Sequence, residues 1–177
     1  MITLTRITDP ASSEYLFTEE LLTATFPREE YRELHEQRNN VASKKAFHLM
    51  LAKDGDKTIG FISYWELGRY YYVEHLATLP AMRGGGYGNA ILEELKKRAQ
   101  RIVLEVEEPT DEITTRRINF YHRAGFDICP LQYMQPPYRD GDGLLPMRLM
   151  FHGCNADSNN FNQAKAVIYS NIYDYKE

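Results

Sequence analysis

The run Arg83-Gly84-Gly85-Gly86-Tyr87-Gly88 places one cation beside closely spaced glycines in the middle of the chain. Glycine costs backbone entropy on folding, so three in succession call for a purpose. Without Cβ atoms, the N–H groups of Gly84 to Gly88 can turn toward a single point. A helix starting behind them adds partial positive charge there, roughly 0.3–1 kcal/mol for each anionic group at an exposed site. Arg83 supplies a full charge and a planar fork of donors. The chemistry on offer is an anion cradle; the plain alternative is a flexible turn. Two nucleotide-binding patterns fail. No Gly-Lys-Ser/Thr closes the loop, and the third glycine slot of a dinucleotide fingerprint, counted from Gly84, holds Asn89.

The elements that must position this loop lie on either side. Residues 70–79 read as a strand ending at Pro80. Residues 89–100 read as a helix with Ile91, Leu92, Leu95 and Ala99 on one stripe, and with Glu93–Lys97 and Glu94–Arg98 paired at i,i+4 outside. Residues 101–106 form the next, mostly apolar strand, so this strand–loop–helix–strand unit predicts two parallel strands in an α/β fold. Upstream, residues 2–7 alternate as a half-buried strand, and Ser12 or Ser13 caps a helix over 14–25 that buries Leu16, Phe17, Leu21 and Leu22. Pro27 opens a second helix over 28–38, and strands 46–52 and 58–66 flank a hairpin turn at Asp54-Gly55-Asp56. Downstream come a helix over 111–124 closed by Gly125 and strands near 127–133 and 146–151. A loop-like stretch over 152–163 follows, then a short helix with Ala164, Val167, Ile168 and Ile172 on one face.

With the nucleotide patterns gone, Arg83, Gly86 and Gly88 form an Arg-x-x-Gly-x-Gly motif that resembles the acetyl-CoA loop of the GNAT superfamily of N-acetyltransferases. Val73-Glu74-His75-Leu76-Ala77-Thr78-Leu79-Pro80 resembles that family's central strand, and Phe120-Tyr121-His122-Arg123-Ala124-Gly125-Phe126 resembles its later helix end. The order of elements fits over residues 1–151. Tyr133-Met134-Gln135-Pro136, followed by residues 146–150, resembles a bacterial branch of unassigned substrate.

The resemblance implies a central mixed β-sheet with splayed parallel strands and helices on both faces. It implies an acetyl-CoA-binding domain over 1–152, with a C-terminal tail and short helix over 153–177. Acetyl-CoA would be the acyl donor, without a metal. Its pantetheine arm would pair with main chain along Leu76, Ala77 and Thr78, and its pyrophosphate would rest on the loop Arg83 to Gly88, Tyr87 included, with Asn89 where the helix begins. An alkyl amine of pKa ~10.4 is neutral in about one molecule in 2,500 at pH 7, so a base must take a proton before the amine attacks the thioester. Glu74 stands at the strand position where relatives carry such a carboxylate, with His75 and Glu107 in reserve. Tyr121 matches a tyrosine that protonates the departing thiolate. Relatives carry Asn and Ala where this helix has Thr114 and Arg117.

The first two helices and the late hairpin would line the acceptor site, with Phe26, Tyr31, Tyr133, Gln135 and Tyr138 as walls. Tyrosine-rich walls suit a cationic amine on a small molecule or peptide. The chain has 13 Tyr and a net charge of −4, which argues against a general nucleic-acid binder. Cys129 and Cys154 show no zinc or disulfide spacing. His35, His48 and His152 lack ligand spacing and read as structural or surface residues. With no signal sequence and no apolar run of membrane length, the expectation is a cytoplasmic protein without membrane contact. The apolar stripe of the tail must cover its own domain or a second subunit, leaving monomer and homodimer open. The rival to an amine acetyltransferase is a non-catalytic acyl-CoA-binding or regulatory module on the same fold.

Overall fold

Alternation in the residues after Met1 produces β1, Ile2–Ile7, which buries Leu4 on one face and Ile7 on the other. The computed structural model describes residues 1–177. They divide into two units, Met1–Glu66 with Val73–Arg98, and Leu67–Tyr72 with Ala99–Glu177.

In the first unit β1 pairs antiparallel with β2, Phe47–Asp54, which pairs antiparallel with β3, Lys57–Leu67, through the turn at Gly55. Strand β4, Tyr70–Thr78, follows β3 in the sheet order. Gly60 of β3 lies so close to β4 that a Cβ there would stand 2.1 Å from the Ala77 carbonyl oxygen. No side chain fits that approach.

Helix α1, Ser13–Thr25, is capped by Ser12, whose hydroxyl accepts from Tyr15 N. It buries Tyr15, Thr18, Leu21 and Leu22, whereas Leu16, expected in the core, is 53% exposed. The inward stripe is thus centred on Tyr15, Thr18 and Leu22, a spacing of three and four. The helix expected over 28–38 is instead a single 3₁₀ turn, Arg28–Glu30, an extended Tyr31, and then α2, Leu34–Ser43. The extended stretch delivers Arg32 to a partner on β4, a tertiary bond outweighing local helical preference.

Helix α3, Tyr87–Lys96, starts two residues earlier than the sequence pattern implies and buries Ile91, Leu92 and Leu95. Its outer pairs close at i,i+3 rather than i,i+4: Lys96 with Glu93 at 2.7 Å and Lys97 with Glu94 at 2.5 Å.

In the second unit β5, Ile102–Glu107, pairs antiparallel with β8, Leu145–His152, which also pairs with β6, Asp127–Ile128, and β7, Tyr133–Gln135. Tyr71 N–H donates to the Arg101 carbonyl at 2.9 Å, tying the start of β4 into this unit. Helix α4, Glu112–Arg123, opens on a reciprocal cap between Asp111 and Thr114. The hydrogen-bonded order is β1-β2-β3-β4-β5-β8-β6 with β7 also on β8, an open mixed sheet of eight strands flanked by helices. This is the fold class expected from the sequence.

The tail is more ordered than the loop expected over 152–163. Asp157 accepts from Asn160 N at 2.9 Å and starts α5, Ser158–Ile172. The helix buries Phe161, Ala164, Ile168 and Tyr169, and Asn160 Oδ1 accepts from the Tyr70 hydroxyl at 2.6 Å. The tail therefore packs into its own unit. No helix is long and apolar enough to cross a membrane.

Candidate active site

The glycine loop of the first unit has the local geometry of an anion cradle. Gly84 and Gly86 are left-handed, at φ +80 and +77, with no atom within 4 Å of where a Cβ would lie. They are glycines because of their backbone conformation, not for want of space. Gly86 is the N-cap of α3 and brings no side-chain cap. Ala90 N–H makes the bond to Gly86 O at 3.1 Å, so the preceding N–H groups of Tyr87, Gly88 and Asn89 fall before the helical ladder. Tyr87, Gly88 and Asn89 thus lie in the first turn rather than in the loop. Arg83, extended and exposed, stands at the mouth. Leu76, Ala77 and Thr78 close β4 just upstream, with Ala77 buried and its neighbours half-buried.

Glu74, the expected base, is completely enclosed at the side chain and paired with Arg32, itself 6% exposed. Arg32 Nη1 donates to Glu74 Oε2 at 3.1 Å and to Gln37 Oε1 at 2.6 Å, Arg32 Nη2 donates to Glu74 Oε1, and Trp65 Nε1 donates to Oε2 at 3.0 Å. The guanidinium also stands over the Trp65 ring at 5.7 Å and the Phe47 ring at 5.9 Å. Burial opposes ionisation of Glu74, but the Arg32 charge and these hydrogen bonds outweigh it and hold the carboxyl below its ordinary value. Because Glu74 as a whole is half-buried while its side chain is not exposed at all, its accessible surface belongs to the main chain.

His75 points Nε2 at the Glu30 carbonyl, 2.8 Å away, and lies edge-on to Phe26 at 4.8 Å. A carbonyl only accepts, so Nε2 carries the proton and Nδ1, buried without a partner, is bare. Burial pushes this imidazole below its usual value, against the pull of Glu74 and the Glu30 carbonyl. Tyr31 is half-buried at the end of the 3₁₀ turn. His48 stacks on Tyr64 and meets Glu66 at 2.9 Å.

In the second unit Tyr121 packs edge-on against Phe120 at 5.0 Å and Phe126 at 5.7 Å. Burial raises its phenol to about 12, with Arg117 pulling the other way. Arg117 itself pairs with Glu107 at 2.9 Å, and Thr114 is occupied by the Asp111 cap. The two positions that depart from the family pattern thus have local structural work. Glu107, a reserve base, is held by that arginine.

A second carboxylate emerges that the sequence reading did not single out. Glu105 Oε1 accepts from the Tyr72 hydroxyl and from the Tyr173 hydroxyl at 2.8 Å, and Gln135 Nε2 donates to Tyr173 Oη at 3.0 Å. Burial raises the Glu105 carboxyl above its ordinary value, opposed by the hydrogen bonds from Tyr72 and Tyr173 and by the nearby polar groups of Tyr133 and Gln135. Tyr133 and Gln135, expected as substrate walls, are 0% and 5% exposed and belong to this cluster. Tyr138 lies ring to ring with Tyr173 at 5.0 Å. The available signal was one glutamate inside the apolar run Ile102-Val103-Leu104-Glu105-Val106. No group of three or more His, Cys, Asp or Glu side chains comes together as a metal centre.

The family model described as Acetyltransferase (GNAT) family matches residues 13–126. A solved GNAT-family protein of Bacteroides thetaiotaomicron is 44% identical, covers 98% of this chain and 99% of its own, and superposes with a TM-score of 0.93. A Bacillus subtilis (strain 168) protein named as an acetyltransferase, YjbC, is 27% identical over 121 residues, 66% of this chain; the match spans 62% of that relative's length. The fold is shared with a GNAT family acetyltransferase from Elizabethkingia anophelis, solved with acetyl-CoA bound, at 19% identity, 85% and 97% coverage and a TM-score of 0.56. The chain belongs to the GNAT acetyltransferase family.

Proposed function

We propose that the protein transfers the acetyl group of acetyl-CoA to a primary amine by direct attack in a ternary complex. The observation that carries this reading is the first turn of α3, whose N–H groups are uncapped behind left-handed Gly84 and Gly86 and beside exposed Arg83. Such a terminus favours a pyrophosphate. The Elizabethkingia relative, solved with acetyl-CoA, supports that choice of anion. In this reading the main chain of Glu74, Leu76 and Thr78 meets the pantetheine amides.

Tyr121 acts on the leaving sulfur. A phenol near 12 keeps its proton throughout the neutral range. Full transfer to a thiolate whose thiol titrates near ~8.5 would be uphill by about 5 kcal/mol, so Tyr121 stabilises the developing anion by donating a hydrogen bond. Glu74, with both oxygens engaged and its acidity increased, is a poor proton acceptor, and we assign it to holding Arg32 and Trp65 in place. Phe26 and Tyr31 remain candidate acceptor walls in the first unit.

Those occupied oxygens also favour a second reading, a non-catalytic acyl-CoA-binding module. Calorimetric titration with acetyl-CoA, CoA and NAD, followed by thiol-release assays over a panel of amines, separates the two. Micromolar binding of both CoA species but not NAD, with release of free thiol, supports the enzyme. Binding without turnover on any amine supports the module, and no CoA binding removes both.

A further inference from the structure

We propose that the Glu105 cluster is the site that receives the acceptor's primary ammonium and that Glu105 Oε2 takes its proton; this rests on the amine-acetylating reading above. The cluster is built from residues far apart in sequence: Tyr72 on β4, Glu105 on β5, Tyr133 and Gln135 on β7, and Tyr173 after α5. Two phenol hydroxyls occupy Glu105 Oε1. Three buried atoms of the same cluster complete no hydrogen bond: Glu105 Oε2, Tyr133 Oη and Gln135 Oε1. Buried polar atoms without partners are costly, so three together call for a ligand. All three can accept, and a primary ammonium carries three N–H donors with no acceptor. The surrounding phenol rings, Tyr72, Tyr133, Tyr138 and Tyr173, suit a cation through their faces. Tyr138 and Tyr173 are half-buried and form the partly exposed edge of the cluster.

The chemistry balances. The ammonium passes one N–H proton to Oε2, leaving a neutral amine whose lone pair forms the C–N bond to the thioester carbonyl. The C–S bond then breaks and sulfur leaves with the electron pair. The proton shed by the new amide nitrogen equals the one the thiolate takes up, and Glu105 returns its proton to water, so one proton is released per turnover. The groups set around Glu105 are phenols and one amide, Tyr72, Tyr133, Tyr169, Tyr173 and Gln135, with Tyr138 packed beyond them on Tyr173. A carboxyl raised by burial among them is better matched to an amine than the ion-paired Glu74.

The test uses the full chain as wild type, E105Q, E105D and Y133F. Binding of n-butylammonium chloride is followed through tyrosine ring NMR signals, with tetramethylammonium, which has no N–H, as comparator. Acetylation of an amine panel is measured against pH, and acetyl-CoA affinity by calorimetry. The expected result is that tetramethylammonium binds at least tenfold more weakly than n-butylammonium. E105Q loses n-butylammonium binding tenfold or more and turnover about 100-fold or more, loses the acidic limb of the pH–rate profile, and keeps acetyl-CoA affinity. E105D restores the limb at reduced rate.

E105Q acetylating within threefold of wild type with an unchanged profile overturns the inference and leaves the amine-acetylating reading standing. Wild type binding n-butylammonium through Glu105 while acetylating no amine does the reverse, keeping the cationic site and removing the reading. Should E105Q fail to fold, Y133F decides: at least threefold weaker n-butylammonium binding supports the site, and unchanged binding overturns it.

Discussion

Arg32 and Glu74 lie 42 positions apart, yet the guanidinium fork of one meets both oxygens of the other with side chains 6% and 0% exposed. The pair fastens the extended stretch after the 3₁₀ turn to the strand that precedes the glycine loop. Its consequence is that charge at position 74 matters for folding before it matters for chemistry.

Replacing Glu74 by Gln leaves Arg32 buried without its counter-charge and is expected to cost about 3–5 kcal/mol in urea denaturation at pH 7. R32M should cost a similar amount, and R32M/E74Q less than the sum, since the double variant strands neither charge. The folded-state value of Glu74 is depressed, so its contribution is present above the ordinary carboxylate pKa of about 4.3 and is lost as pH falls through the lowered one. Equal destabilisation by E74Q at pH 7 and below pH ~3 would contradict that linkage.

Glu105 carries the opposite sign. Its folded-state value is raised, so the fold favours the neutral acid. That preference contributes fully below about pH 4.3 and is lost as pH rises through the raised value. E105Q, permanently neutral, should therefore gain stability relative to wild type between pH 4 and 8. Thermal denaturation of the two proteins across that range reads the difference, and parallel curves would show that Glu105 ionises in the fold as it does in water.

Y121F should reduce turnover by roughly 10²–10³-fold, the range for losing one preorganised donor to a developing anion, while acetyl-CoA affinity stays within twofold. Because the phenol titrates near 12, the shape of the pH–rate profile between 6 and 9 should not change. A lost basic limb in Y121F would mean that the phenol transfers its proton rather than holding it.

At the loop, R83A is expected to weaken acetyl-CoA binding tenfold or more with little change in turnover of the bound complex. G86A forces a side chain into φ +77 and should add about 1–2 kcal/mol of backbone strain, although nothing stands where its Cβ would go. Calorimetry on both variants separates charge from geometry. Unchanged affinity in both would show that the loop is only a turn.

Elements whose signals are local were legible in the chain. The alternation of β1, the stripe of Ile91, Leu92 and Leu95, and the glycines at 84 and 86 each encode their role within a few residues. Contacts across the sequence were not. Nothing near Arg32 reveals that Glu74 will draw it out of a helix, and nothing near Glu105 names Tyr72 or Tyr173 as its donors. The rotation of α1 that exposes Leu16 has the same origin, since Tyr15 and Thr18 bury in its place. A residue's type is written in the chain, but its partner is set by tertiary packing. Glu74 is therefore legible as a carboxylate, whereas its pairing with Arg32 is not.

The tail beyond Gly153 carries Tyr173 to Glu105, Asn160 to Tyr70, and Tyr169 to the main-chain carbonyl of Met134. Acceptor preference in this branch then becomes a portable trait. A chimaera bearing another member's residues in place of 158–177 would exchange one hydroxyl on Glu105 without disturbing Arg83 or the glycines after it. Engineers seeking a new acceptor should begin at the end of the chain.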